Sequence, residues 1–214
     1  MKQQVILLGM SSLTLTFVGT ALPARADEAG PYFHADIGPA LTDDTRLREF
    51  PEGVSGGKVK FDPGARFSIG GGWQFYDWLF AGGESGVIGN DLRGADATFS
   101  QVPLMADVEF RWPTPCPFVP FIGGGPGLSI SVIDFDHDSL AGGQRVNGSS
   151  ADTVFAWQIY GGARYKLNDH MSIGLIYKYF DAGAPTWDVR HTSEDIRFGH
   201  ARTHSFGASF SMDF

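Results

Sequence analysis

The chain has one cysteine, Cys116, in 214 residues. That excludes an intrachain disulfide and any metal cluster built on paired cysteines. Charged residues make up only 19% of the sequence, and acids outnumber bases by 24 to 16. A formal charge of −8 argues against a general nucleic-acid-binding surface. After residue 26, no stretch is apolar enough over a sufficient length to cross a bilayer as a helix. Low charge, with 29 glycines and 18 phenylalanines, suits alternating strands better than helices.

The N-terminus has its own pattern. Met1 to Gln4 is a short basic start, Val5 to Thr20 is apolar and uncharged, and Ala24-Arg25-Ala26 is a small-x-small site. These are the three parts of a secretory signal peptide cleaved near Ala26. The apolar run is short for a spanning anchor. No cysteine follows the cleavage site to accept a lipid. Residues 27–214 then form one mature domain, and loss of Lys2 and Arg25 takes the formal charge from −8 to −10. Cys116 reads as a small, partly buried residue, with covalent dimerisation as the alternative.

What the mature chain has in quantity is alternation. At its end, Phe206, Ala208, Phe210, Met212 and Phe214 share one face; Thr203, Ser205, Gly207, Ser209, Ser211 and Asp213 share the other. Such a strand has hydrocarbon on one side and a polar interior on the other, and its length suits a tilted bilayer crossing. Seven further segments read the same way. They are about Tyr32 to Leu41, Val59 to Phe75, Leu79 to Ile88, Gln101 to Trp112, Phe118 to Val132, Val154 to Leu167 and Met171 to Phe180. Tight connections (Tyr76 to Trp78, Pro113 to Pro117, Asn168 to His170) alternate with long polar ones. The long ones are Thr42 to Gly57, Gly89 to Thr98, Ile133 to Asp152 and Asp181 to Ala201. Short periplasmic turns and long extracellular loops are the pattern of an outer-membrane barrel. Trp73, Phe75, Trp78, Trp112, Phe118, Tyr165 and Phe214 are expected to form a periplasmic aromatic belt, and Phe61, Phe155, Tyr177 and Tyr179 part of the outer one. The expected fold is all-β: an eight-stranded antiparallel up-and-down transmembrane barrel with four extracellular loops.

Several stretches carry a family resemblance: Gly30-Pro31-Tyr32-Phe33, Phe67-Ser68-Ile69-Gly70-Gly71-Gly72-Trp73, Pro117 to Gly125, Tyr160 to Tyr165, Ile176 to Phe180, and the terminal Phe214. With these, the whole mature chain resembles the small outer-membrane barrels of the opacity-protein and OmpA-like superfamily. The resemblance implies an outer-membrane location in a Gram-negative-type bacterium, with lipid and lipopolysaccharide around it. It also implies that the terminal strand with Phe214 is an assembly signal for the barrel-assembly machinery. Members of that family serve as adhesins, structural proteins, weak pores and lipid-modifying enzymes.

Chemistry, if any, sits in three places. The alternation sends Asp36, Arg66, Glu84, Asp107, Glu109, Arg111, Arg164 and Lys178 inward. An eight-stranded barrel is just wide enough for side chains to fill, so these charges are expected to pair as a salt-bridge network. A proton or ion path is the alternative. Arg164 is the expected partner at the level of Asp36, Glu84 and Glu109. In the third long loop, Asp134, Asp136 and Asp138 are spaced like half of a calcium loop, but the twelfth position is Arg145 rather than an acid. They are weak metal candidates, and no metal or cofactor is expected. His191, Ser193 and Glu194 echo the residue types of lipid A deacylases, yet fall in a loop rather than on the barrel wall. Trp187, Arg190, Arg197 and Arg202 are candidates to touch lipid phosphates or a host ligand.

The expected function is thus non-enzymatic: a structural or adhesin-like, surface-interaction role through the loops. A narrow pore for small solutes or ions is the alternative, and a lipid A-modifying enzyme the third reading.

Overall fold

The structure, a computed structural model, describes residues 29–49, 58–93, 97–141, 144–188 and 195–214. The signal segment, the His191–Glu194 motif and Arg190 lie outside them. Twelve strands follow in chain order. They are β1 (Gly30–Thr42), β2 (Thr45–Glu49), β3 (Lys58–Val59), β4 (Gly64–Tyr76), β5 (Leu79–Asp91), β6 (Ala97–Arg111), β7 (Phe118–Ala141), β8 (Gln144–Lys166), β9 (Met171–Ala182), β10 (Thr186–Asp188), β11 (Asp195–Phe198) and β12 (Ala201–Asp213). Eight of them close a barrel in the order β1-β12-β9-β8-β7-β6-β5-β4. The terminal strand closes it, Phe33 lying opposite Met212 and Ile37 opposite Ala208. Closure leaves no sheet edge in the barrel, which is what hydrocarbon requires of a strand protein.

The face assignment follows from the period of two. Ile37, Phe67, Ile69, Leu104, Val108, Ile122, Ile159, Leu175 and Phe206 are exposed outward, whereas Asp36, Ser68, Glu84, Glu109, Arg164 and Lys178 are buried inside. At the short-turn end, Tyr76, Trp78 and Phe110 stack at 5.5 and 6.0 Å. Phe118 meets Tyr165 edge-on at 5.1 Å, and Trp112 and Phe214 are exposed beside them. Three prolines interrupt the ladder where their missing N–H would be needed. Pairing skips on the β1–β12 side at Pro39, on the β5–β6 side at Pro103 and on the β6–β7 side at Pro126.

The far end departs from the expectation in three respects. The second segment is not one strand from Val59. It breaks at residues 60–63, where Pro63 cannot donate; β3 joins β2 through Val59 opposite Thr45, and Phe61 bridges to Leu92. Phe61 is consequently buried in an apolar cluster rather than part of the outer aromatic belt. The connection expected over Ile133 to Asp152 is largely strand: β7 and β8 run on to Ala141 and Gln144 as a paired ribbon. The last connection contains β10 and β11, which join β2 and β3 in a second, four-stranded sheet.

Cys116, expected to be partly buried, is instead exposed in the short turn after β6; the expected alternation of loop lengths would place that turn in the periplasm. A 5-kDa maleimide polymer, too large for general diffusion pores, should leave Cys116 unmodified on intact cells and modify it after spheroplast formation. Equal labelling of intact cells would reverse the orientation.

Candidate functional site

The barrel interior is the constellation the fold builds most deliberately. Its charges form two groups. Near the short turns, Glu109 accepts from Arg111 Nε at 2.7 Å and from Arg164 Nη1 at 2.7 Å. Arg111 continues to Asp213 at 2.9 Å and to the Ser211 hydroxyl at 3.1 Å; Arg164 Nε donates to Ser209 at 3.1 Å. Both guanidiniums lie over aromatic faces, Arg111 3.5 Å from the Phe80 centroid and Arg164 3.8 Å from that of Phe121. Planar guanidiniums suit this double duty of bonding in-plane and stacking out-of-plane.

Higher in the barrel, Lys178 replaces arginine as the hub. Its ammonium lies 2.9 Å from Asp36, bonds Glu84, and donates to Ser68 at 3.1 Å. The Asp36 contact is an ion pair without hydrogen-bond alignment. Arg66 donates to Glu84 at 2.9 Å and to the Gln158 amide oxygen at 2.7 Å, and Gln158 in turn donates to Asp107 at 2.8 Å. All eight inward charges are therefore buried: four in the upper group with Lys178 and Arg66 as cations, and Glu109, Arg111 and Arg164 below, with Asp107 at the end of the Gln158 link. The expected pairing of Arg164 with Asp36 and Glu84 is replaced. Arg164 binds Glu109, and Lys178 serves the other two carboxylates.

Glycines make this crossing possible. His34, Gly70 and Glu84 stand in one cross-strand row. A Cβ at Gly70 would run into the His34 ring, so glycine there lets His34 Nε2 approach Glu84 at 3.5 Å over the intervening strand. Likewise the Tyr160 ring lies across Gly123, where a Cβ would meet it at 2.6 Å. Parity identifies Gln158 as an inward residue, but neither its bridging role nor that of His34 is legible in the sequence. His34 shares the inward parity of Asp36, and Gln158 that of Arg164, which was the available signal.

His34, Asp36 and Glu84 bring ligand atoms within 4.8 Å of one another. The Lys178 ammonium already stands between the two carboxylates as their cation, so the arrangement works as an ion-pair cluster rather than a metal centre. Of the loop triad, Asp134 is exposed on β7; the side chains of Asp136 and Asp138 lie outside the described residues. Their backbone falls in the β-bulge between Phe135 and Ser139, within the extended course of β7.

An apolar cap covers the lumen at the long-connection end. Trp187, Phe61, Phe99, Phe198, Ile88 and Ile133 cluster there, fully or nearly fully buried. Trp187 packs edge-on against Phe198 at 4.7 Å and Phe99 at 6.1 Å, and its indole N–H donates to the Ser131 carbonyl at 3.2 Å. Trp187 is thus an interior residue, which corrects its reading as a lipid- or ligand-contacting one. A tryptophan in a polar connection gave no periodic signal of its burial. Of the basic residues grouped with it, Arg202 is exposed on β12, while the Arg197 side chain lies outside the described residues.

A closed eight-stranded barrel with an oily outer wall and a charged, crosslinked lumen defines a membrane-spanning β-barrel. The chain belongs to the outer membrane protein β-barrel domain family, whose model matches residues 10–214. It is therefore an outer-membrane barrel of the opacity-protein and OmpA-like group. Among solved structures it is similar to outer membrane protein OprG of Pseudomonas aeruginosa, at 15% identity and TM-score 0.62, over 87% of this chain and 98% of that one. It is also similar to Neisserial surface protein A, at 17% identity and TM-score 0.57, over 88% of this chain and all of that one. These likenesses are of fold. No curated protein matches the sequence.

Proposed function

We propose that the mature chain, beginning near Asp27, is a non-conducting, non-enzymatic outer-membrane barrel that presents surface structure to ligands outside the cell. The observation that carries this reading is the occupied lumen: the Lys178–Asp36 and Arg164–Glu109 ion pairs cross it, and the Trp187 cluster lies above them. A conducting path would have to break buried pairs and part an apolar cap, each an unfavourable step. Lipid and lipopolysaccharide surround such a wall. The β7–β8 ribbon supports the display role, because β7 pairs with β6 only as far as Phe135 and continues with β8 beyond it.

Conductance tests it. Liposomes carrying the folded protein should retain small sugars and show no swelling, and planar bilayers should show no steady single-channel steps. Reproducible steps of one size would replace this reading with that of a narrow pore.

A further inference from the structure

The outer wall is not smooth. Where β1, β12 and β9 adjoin, an open groove of about 510 Å³ faces the membrane, a size within the roughly 300–1,000 Å³ of small-molecule sites. Its floor holds two outward alanines, Ala35 and Ala208. They are diagonal neighbours, since Ala35 pairs with Phe210 and Ile37 with Ala208. Its rims are Ile37 and Leu175, which flank Ala208 in one cross-strand row and stand 62% and 74% exposed, with Phe67, Ile173 and Phe210 alongside. Elsewhere the outward positions on these strands are mostly large, so the small pair leaves a hollow between ridges.

The same seam has a polar upper end. Going outward from Ala208 along β12 come Phe206, His204 and Arg202; going outward from Leu175 along β9 come Tyr177 and Tyr179. Tyr177 packs on Phe206 at 4.9 Å and its hydroxyl bonds His204 Nδ1 at 2.8 Å. Arg202 Nε donates to Asp181 at 3.3 Å, yet the Arg202 side chain stays 54% exposed; His204 Nε2 lies 3.8 Å from Asp43. Asp181, buried and directly opposite Arg202 on the neighbouring strand, holds the guanidinium from the side and also meets His200 Nδ1 at 2.7 Å.

The spacing fits one molecule. Six residues of strand separate Ala208 from Arg202, about 20 Å of strand at roughly 3.3 Å per residue. With the usual tilt of about 40° this becomes about 15 Å of depth, half of a hydrocarbon core of about 30 Å. We propose that this seam binds one lipid of the outer leaflet, with an acyl chain lying over Ala208 and Ala35 and the phosphate of the headgroup at Arg202. The proposal rests on the family's membrane location and is independent of whether the lumen conducts. A chain in the groove touches protein on three sides, where a smooth wall offers one, and each added contact contributes dispersion energy. The rims favour a flexible chain over a second rigid barrel, which would meet them ridge against ridge.

Electron spin resonance in dimyristoylphosphatidylcholine vesicles tests it, using phosphatidylglycerol spin-labelled near the chain end and, separately, a diacylglycerol with the same label. The wild type should immobilise the phosphatidylglycerol in a saturable fraction and hold the diacylglycerol more weakly. Ala208→Phe fills the groove and should weaken retention of both labels by about tenfold, a loss of about 1.4 kcal/mol; Ala35→Phe is the independent second filling variant. Arg202→Gln should keep groove retention and lose the preference for phosphate. All variants are first checked for the heat-dependent gel shift of folded barrels. Retention unchanged by both filling variants would overturn the proposal, as would equal retention of the two labels by the wild type. A dimer that Ala208→Phe abolishes would assign the groove to a second copy instead.

Discussion

Replacing Lys178 with Met should lower the unfolding free energy in detergent by about 3–5 kcal/mol, the usual cost of removing one partner of a buried charge group. The reason is its position. Among the described residues Lys178 is the cation that ion-pairs Asp36, and it shares Glu84 with Arg66; all of these groups are buried. Methionine fills much of the same volume, so the loss is electrostatic rather than a cavity effect. Arg164→Met should cost less, because Glu109 keeps Arg111 at 2.7 Å as a second partner. Adding Asp36→Asn to Lys178→Met should recover part of the loss, since the stranded anion is then removed, and a double-mutant cycle isolates that coupling. Urea unfolding followed by the gel shift gives the midpoints. A Lys178→Met midpoint equal to that of the wild type would mean that the upper group is hydrated and screened.

The sequence announced the wall of this barrel and concealed its lid. Along β4, β6 and β12 every second residue must satisfy either hydrocarbon or the lumen, so faces could be assigned residue by residue. The eight inward charges followed from the same parity. Their partners did not, because pairing depends on the stagger between strands, which parity leaves open. Lys178 and Arg164 are both inward cations; only the register that sets Tyr160 opposite Lys178 and Arg164 opposite Gly174 separates their heights. The glycine at position 70 looked like a small inward residue, whereas its role is to let His34 and Glu84 meet across it. The cap was illegible for a different reason. Trp187 and Phe198 come from a connection without a period, and they are buried in the second sheet on β10 and β11; Phe61 carries the outward parity of its segment and is buried because that segment breaks at residues 60–63.

Deleting Phe214 should reduce the amount of barrel reaching the cell surface far more than it lowers the stability of protein refolded in vitro. Phe214 is 63% exposed on the outer wall, so little packing is lost with its side chain. Its backbone N–H donates to the Pro31 carbonyl at 3.0 Å, one bond at the last step of the β1–β12 closure. A single such bond contributes about 0.5–1.5 kcal/mol net, and the preceding pairs from Thr203 to Asp213 still close the barrel against β1. If the terminal strand is also the element read by the assembly machinery, the aromatic end matters before any barrel exists, and its loss acts on insertion rather than on the folded state. The comparison is with a deletion within residues 142–149, at the tip of the β7–β8 ribbon and remote from the closing seam. Surface-exposed barrel per cell, measured by a surface-displayed epitope, should fall steeply for the Phe214 deletion and stay close to wild type for the ribbon deletion, while both refold in detergent. Equal surface yields from the two deletions would remove the assembly role and leave Phe214 as an interfacial aromatic anchor.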